Sequence, residues 1–260
     1  MREIMLEKIN NTQLGYLDIG FGENCLFLHG NRDCKEVFKR MIPFLKNEYH
    51  MMFMDYRGHG ESDICIDGFG YDQFILDIDT LLCEKNVKKI NLIGHSLGGV
   101  LSLLYYLKFP EKVNSIVLMG TSSHFVSKFK RPKRGTVITQ SCIKDTNALA
   151  KPFFFTPTNK DVEKEIVNNW SNLSATTHEN MIKMGHIDLR CMLEQVKCNV
   201  LLIVGGQDKI CSVEEGEYMN SKIPNSSLKI IPNTGHYMFM ENPQMTSSLI
   251  NEFLGKFHKQ

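Results

Sequence analysis

Three short stretches hold residue types that could do covalent chemistry together. Ser96 sits in Gly94-His95-Ser96-Leu97-Gly98, Asp208 closes Gly205-Gly206-Gln207-Asp208, and His236 closes Asn233-Thr234-Gly235-His236. A serine hydroxyl is a weak nucleophile at neutral pH and needs a neighbouring base. A histidine can take that proton and later return it to a leaving group. An ionised aspartate can fix the imidazole tautomer and stabilise the imidazolium as it forms. The chemistry such a set would run is acyl transfer. The spelling G-x-S-x-G carries little by itself, since about one random chain in ten of this composition would contain it.

The elements around these residues supply the missing context. Short unbroken apolar runs recur as "CLFL", "MMFM", "INLI", "SIVLM", "NVLLIV" and "LKII", and runs of this length suit strands buried on both faces of a parallel sheet. Helical patterns lie between them: 71–86 puts Phe74, Ile78, Leu81 and Leu82 on one face, and 97–107 is apolar nearly all round. A last helix is expected from about Asn242, with Pro243 in its first turn. Ahead of them, "EIMLEKI" and "QLGYLDI" flank the turn signal Asn10-Asn11 and read as an antiparallel hairpin. Alternating strands and helices predict an α/β protein with a mostly parallel, doubly wound sheet.

In open sheets of this kind ligands bind beyond the carboxyl ends of the strands. Ser96 follows "INLI", Asp208 follows "NVLLIV" and His236 follows "LKII", so all three are expected on one edge of one sheet. Their order, serine then aspartate then histidine, is that of a nucleophile-elbow hydrolase, in which Gly94 and Gly98 let a strand turn sharply into a helix. Backbone amides of Leu97, at the helix start, and of Asn31, in the loop after "CLFL", are the candidate donors for an oxyanion. His29, Arg32, His95, Phe153, Phe154 and Tyr237 are candidate pocket residues, whereas Asp55 and Arg57 are expected to brace a loop. Plainer readings stand beside these: Ser96 as a serine in a glycine turn, Asp208 as a helix N-cap, His236 as a surface histidine, and His29 and His59 as loop-structuring side chains.

From 122 to 196 no buried-strand run appears, and Val162, Ile166, Val167, Trp170 and Leu173 repeat at helical spacing. This stretch is expected to be a helical cap inserted between two late strands, leaving 1–121 and 197–260 as the core. It contains the basic run "KFKRPKRG", read as a solvated face or an attractor of anionic substrates, and "KPFFFTP", read as cap core or acyl pocket.

Whole-chain properties narrow the classes. The chain has 260 residues with a formal net charge of +1, which argues against a nucleic-acid binder. Eight scattered cysteines show no C-x-x-C and no pair of histidines has helical ligand spacing, so neither a metal nor a disulfide framework is expected. "MREIMLEKIN" does not read as a secretory signal and no apolar run is long enough to span a membrane. A soluble cytoplasmic protein without membrane insertion is expected, as a monomer or small homo-oligomer.

"HGNR", "DYRGHGESD", "GHSLGG", "GGQDKI" and "NTGHYMFMENP", in this order, resemble the α/β-hydrolase superfamily, and more narrowly its capped branch of esterases, lactonases, carbon–carbon hydrolases and cofactor-free haloperoxidases. The resemblance implies the α/β-hydrolase fold, a triad of Ser96, Asp208 and His236, an oxyanion hole at Asn31 and Leu97, and no cofactor. Haloalkane dehalogenases and epoxide hydrolases of similar sequence carry an aspartate where Ser96 stands, which sets them aside. Carbon–carbon hydrolases usually follow the histidine with a tryptophan, where this chain has Tyr237. The expected function is cleavage of a small-molecule acyl substrate: a small or medium carboxylic ester, lactone or thioester. The alternatives are a carbon–carbon hydrolase or perhydrolase using the same triad, and a non-catalytic ligand receptor on the same scaffold.

Overall fold

A computed structural model describes residues 4–65, 68–125 and 160–256. Met5–Ile9 (β1) and Thr12–Ile19 (β2) pair antiparallel across Asn10 and Asn11, which take the positive φ values of 47° and 63° that a tight hairpin needs. The strands that follow are Glu23–Leu28 (β3), Tyr49–Met54 (β4), Ile90–His95 (β5), Val113–Met119 (β6), His124–Phe125 (β7), Ile187–Asp188 (β8), Asn199–Gly205 (β9) and Ser226–Ile231 (β10). Eight of them form one sheet in the order β1-β2-β4-β3-β5-β6-β9-β10, parallel from β4 to β10.

Helices cover both faces: Tyr71–Glu84 (α1), Leu97–Lys108 (α2), Lys160–Asn172 (α3), Ala175–Lys183 (α4), Val213–Lys222 (α5), Met238–Glu241 (α6) and Pro243–Gly255 (α7). Side chains alternate across each strand, so one apolar run feeds two cores. Leu26 and Leu28 of β3 pack with Phe74 of α1 and Leu101 of α2, while Phe27 between them packs with Phe38, Phe253 and Trp170 on the other face. Fully burying one such side chain is worth about 1.5–3 kcal/mol. This is why the runs are continuous rather than alternating. The last helix starts where expected: Pro243 stands in its first turn and the Asn242 side chain accepts from the Met245 amide.

The chain lays β4 on one side of β3 and then crosses to place β5 on the other. Strand order therefore reverses between β3 and β5, where an open sheet forms a crevice beyond its carboxyl ends. The loop that begins at His29 and the turn at Ser96 flank that crevice.

Two expectations change. β10 ("LKII") pairs with β9 alone and ends the sheet, and Ile230 is 45% exposed rather than buried on both sides. Between β6 and β9 the chain is helical in α3 and α4, yet β7 and β8 also pair antiparallel. Two-residue strands are too short to leave a periodic trace. "KFKRPKRG", "KPFFFTP" with Phe153 and Phe154, and Cys142 lie outside the described residues; the other seven cysteines are free thiols. Among the described residues no helix is long and apolar enough to cross a membrane.

Candidate active site

Ser96 lies between β5 and α2 with φ 51° and ψ −111°, a backbone conformation that costs a non-glycine residue about 1–3 kcal/mol. The surroundings hold it there. Its amide donates to the Met119 carbonyl at 2.9 Å, and its carbonyl accepts from Gly99 and Val100 at 3.0 and 3.2 Å. A Cβ on Gly94 would collide with the backbone of Gly98, and one on Gly98 would collide with the Leu28 carbonyl at the end of β3. The two glycines thus do more than permit a turn. They let α2 press against the end of β3, which brings the Asn31 loop alongside Ser96.

Beyond β9 and β10 the other two candidates meet. His236 Nδ1 lies 2.8 Å from Asp208 Oδ2, with both side chains almost completely buried. Asp208 Oδ1 accepts from the amides of Ile210 and Cys211 at 2.8 and 2.9 Å. Asp208 therefore braces its own loop and orients the imidazole at once. Helix α5 begins later, at Val213 with Ser212 as its N-cap residue, so Asp208 is not that helix's cap.

Ser96, Leu97 and Asn31 line one cavity. Val100, Met181, Met184 and Ile187 make an apolar wall, and Arg32 and His178 bring polar groups to it. Arg32 Nη2 donates to His178 Nε2 at 3.4 Å, and burial holds His178 down to about 4, so the ring is neutral and can accept. Cys211 also reaches the cavity, but burial pushes its thiol well above the ordinary range. It stays protonated, which makes it a poor nucleophile.

The profile of the alpha/beta hydrolase fold family matches residues 26–243. The chain belongs to the alpha/beta hydrolase family. It is 23% identical over 227 residues to 3-oxoadipate enol-lactonase 2 of Acinetobacter baylyi, covering 85% of each chain. It is 26% identical over 277 residues to the 2-hydroxy-6-oxononadienedioate/2-hydroxy-6-oxononatrienedioate hydrolase of Escherichia coli, covering 98% of this chain and 96% of that one. The structure of a thermophilic esterase from Thermogutta terrifontis, with malate bound, superposes with a TM-score of 0.86 at 22% identity, covering 99% of this chain and all of that one. The alpha/beta hydrolase is thus an enzyme of the hydrolase class.

Other candidate residues of this alpha/beta hydrolase fall in different places. Arg32 reaches the cavity wall, whereas His29, His95 and Tyr237 do not. His29 is fully buried: its Nδ1 donates to the Gly30 carbonyl at 2.7 Å and its Nε2 accepts from the Tyr56 amide at 3.3 Å. His95 points its Nε2 at the His236 carbonyl, 3.1 Å away. The Tyr237 hydroxyl donates to the Asp33 carboxyl. In each case the side chain turns into the protein to satisfy a buried polar group. Asp55 and Arg57 brace loops as expected: Asp55 takes the Lys35 ammonium at 2.6 Å and the Lys35 and Glu61 amides, and Arg57 grips Asp77 through two bonds of 2.7 and 2.8 Å.

Two residues escaped the sequence reading. Gly120, just past β6, has φ +52°, and a Cβ there would stand 3.1 Å from His236 Nδ1 and 3.2 Å from Asp208 Oδ2. Its position at a strand end was the available signal. Asp33 accepts from Tyr237 and from Trp170 Nε1, and burial pushes it up to about 7 against the pull of those hydrogen bonds. Its signal was a carboxylate in the same loop as Asn31, but its partners lie 137 and 204 residues away.

Proposed function

We propose that this alpha/beta hydrolase is a serine hydrolase that cleaves a small or medium carboxylic ester, lactone or thioester through an acyl-enzyme. The observation that carries the reading is the 2.8 Å contact between His236 Nδ1 and Asp208 Oδ2 at the sheet edge that also presents Ser96. With Asp208 ionised, Nδ1 holds the ring proton and Nε2 keeps the lone pair. Ser96 Oγ adds to the carbonyl carbon while its proton passes to Nε2. Charge gathering on the carbonyl oxygen is met by the amides of Asn31 and Leu97, and each such donor typically contributes about 2.7–4 kcal/mol. Collapse breaks the bond to the alcohol, enol or thiol, which leaves with the proton from His236. Water then repeats the sequence on the acyl-enzyme, releasing the acid and restoring Ser96.

In this reading 122–196 acts as the cap and 1–121 with 197–260 as the core. Met181 and Ile182 of α4 line the cavity together with Leu97 and Val100 of α2, a lining that favours an apolar acyl group. An apolar lid also sheds water while the acyl-enzyme forms. A carbon–carbon hydrolase with the same triad is the second reading, favoured by the similarity to the Escherichia coli hydrolase.

A fluorophosphonate probe tests the nucleophile. It is expected to label the native protein, and Ser96→Ala is expected to abolish labelling. Native protein that stays folded and unlabelled would favour a non-catalytic receptor and sink the proposal. p-Nitrophenyl esters of rising chain length, run against a vinylogous 1,5-diketone, separate ester from carbon–carbon cleavage.

A further inference from the structure

Next to the crevice lies a second polar cluster built around Asp33, whose side chain is fully buried. Its Oδ1 accepts from Trp170 Nε1 at 3.1 Å, and the Tyr237 hydroxyl lies 3.1 and 3.0 Å from its two oxygens. Trp170 belongs to α3 of the proposed cap, and Arg32 covers its ring face at 5.8 Å. Tyr237 directly follows His236, and Asp33 stands two residues after Asn31. One carboxyl thus touches the cap, the loop of the base and the loop of the oxyanion donor.

We propose that Asp33 is a positioning residue for hydrolysis, its single carboxyl seating helix α3 through Trp170 and setting the His236 loop through Tyr237. The inference rests on the serine-hydrolase reading. His95 packs beside the same carboxyl. Its Nε2 lies 3.1 Å from the His236 carbonyl, which can only accept, so Nε2 carries the proton. Burial keeps the ring neutral, with a value well below the ordinary imidazole range, which leaves Nδ1 as a bare acceptor. That atom is buried without a hydrogen-bond partner among the described residues and faces Asp33 Oδ2 at 3.9 Å. Gly30 packs closely against both, since a Cβ there would stand 2.8 Å from Nδ1 and 2.9 Å from Oδ2.

At 3.9 Å the two atoms are in contact without a hydrogen bond, so His95 adds packing beside the carboxyl. The groups facing Asp33 are the Arg32 guanidinium, His236, His95, Tyr237, Tyr56 and Cys34. Arg32 and His236 favour the anion, yet loss of water outweighs them and the carboxyl is pushed up to about 7. Asp33 offers its acceptors to Trp170 and Tyr237. His95 separately bonds the His236 carbonyl, which fixes that backbone.

Trp170 is the chain's single tryptophan, so its emission reports on this cluster without background. Emission is followed between about pH 5 and 9, across the raised carboxyl range, in the native, Ser96→Ala and Asp33→Asn proteins. Native and Ser96→Ala proteins are expected to show a step near pH 7, and Asp33→Asn none. No step in the native protein, or a step that persists in Asp33→Asn, overturns the inference. Kinetics on a p-nitrophenyl ester add a second readout. An asparagine keeps an acceptor oxygen for Trp170 and Tyr237, so Asp33→Asn should hold kcat within about threefold. Asp33→Ala and Trp170→Phe should each lower kcat about tenfold or more with KM little changed, because the loss is of orientation. If Asp33→Asn falls as far as Asp33→Ala, or Trp170→Phe keeps full kcat, the positioning role is wrong. Failure of the hydrolase reading would look different: no fluorophosphonate labelling, with the emission step still present.

Discussion

Asp208 splits its two oxygens, Oδ2 standing 2.8 Å from His236 Nδ1 while Oδ1 accepts from the Ile210 and Cys211 amides at 2.8 and 2.9 Å. The acid is tethered to its own loop, so the ring of His236 is oriented by backbone. Asp208→Asn tests the consequence. Asparagine can still accept the two amides through Oδ1, so the urea midpoint should move little. Its amide nitrogen then faces Nδ1 and forces the wrong imidazole tautomer, which should cost about 10⁴ in kcat. Ester turnover within tenfold of the native rate would contradict the role given to Asp208.

Strain at Ser96 leads to an opposition between stability and activity. A glycine accepts φ 51° at no steric cost, whereas serine is held there by its neighbours. Ser96→Gly should therefore abolish turnover and raise stability by about 1 kcal/mol, a gain of roughly 2–4 °C in Tm for a chain of this size. Differential scanning calorimetry beside an esterase assay measures both at once. A variant less stable than the native protein would count against strain at the turn.

Gly120, just past β6, clears space for the Asp208–His236 pair. Alanine there would place a methyl 3.1 Å from His236 Nδ1 and 3.2 Å from Asp208 Oδ2, at a φ of +52° that suits glycine. Gly120→Ala should lower kcat about 10²-fold, as misplacement of a catalytic group by near 1 Å does. Steady-state kinetics with a circular-dichroism check of folding would show it, and an unchanged kcat would refute the packing argument.

Buried neutral histidines make the fold sensitive to acid. Burial lowers His29 and His59 each to about 3 and His95 well below its ordinary value of 6.5. The unfolded chain therefore binds more protons than the folded one below about pH 6.5, and stability must fall as pH falls. Asp33 acts in the opposite sense: its folded value of about 7 lies above 3.8, so its contribution is lost as pH rises between them. Three histidines outweigh one carboxyl. The urea midpoint should drop from about pH 6.5 toward about pH 4.5, and His59→Asn should flatten the slope by about one proton. A midpoint constant over that range would show that the histidines are not buried in neutral form.

The neighbourhood of Asp208 and His236 was legible because each closes an apolar run, and the carboxyl end of a buried strand is a local property. The hairpin, α1, α2 and α7 were legible for the same reason, through periodicity and the caps at Asn10-Asn11 and Asn242-Pro243. Side-chain direction beyond a strand end was not. Arg32, one residue after Asn31, reaches the cavity, whereas Tyr237, one residue after His236, turns to Asp33. Strand alternation stops where the loop begins, so neighbours in sequence give no rule for which of them faces the cavity.

By itself the sequence determined the order of the main-sheet strands, their two apolar faces and the three strand ends that carry Ser96, Asp208 and His236. Tertiary structure decided the rest: that β10 is an edge, that Gly98 is pressed against β3, and that Asp33 joins Trp170 and Tyr237 across 137 and 204 residues. The division has a physical cause. Burial of a strand or helix face is written in local periodicity, whereas a buried polar group takes whichever partner docking brings within about 3 Å.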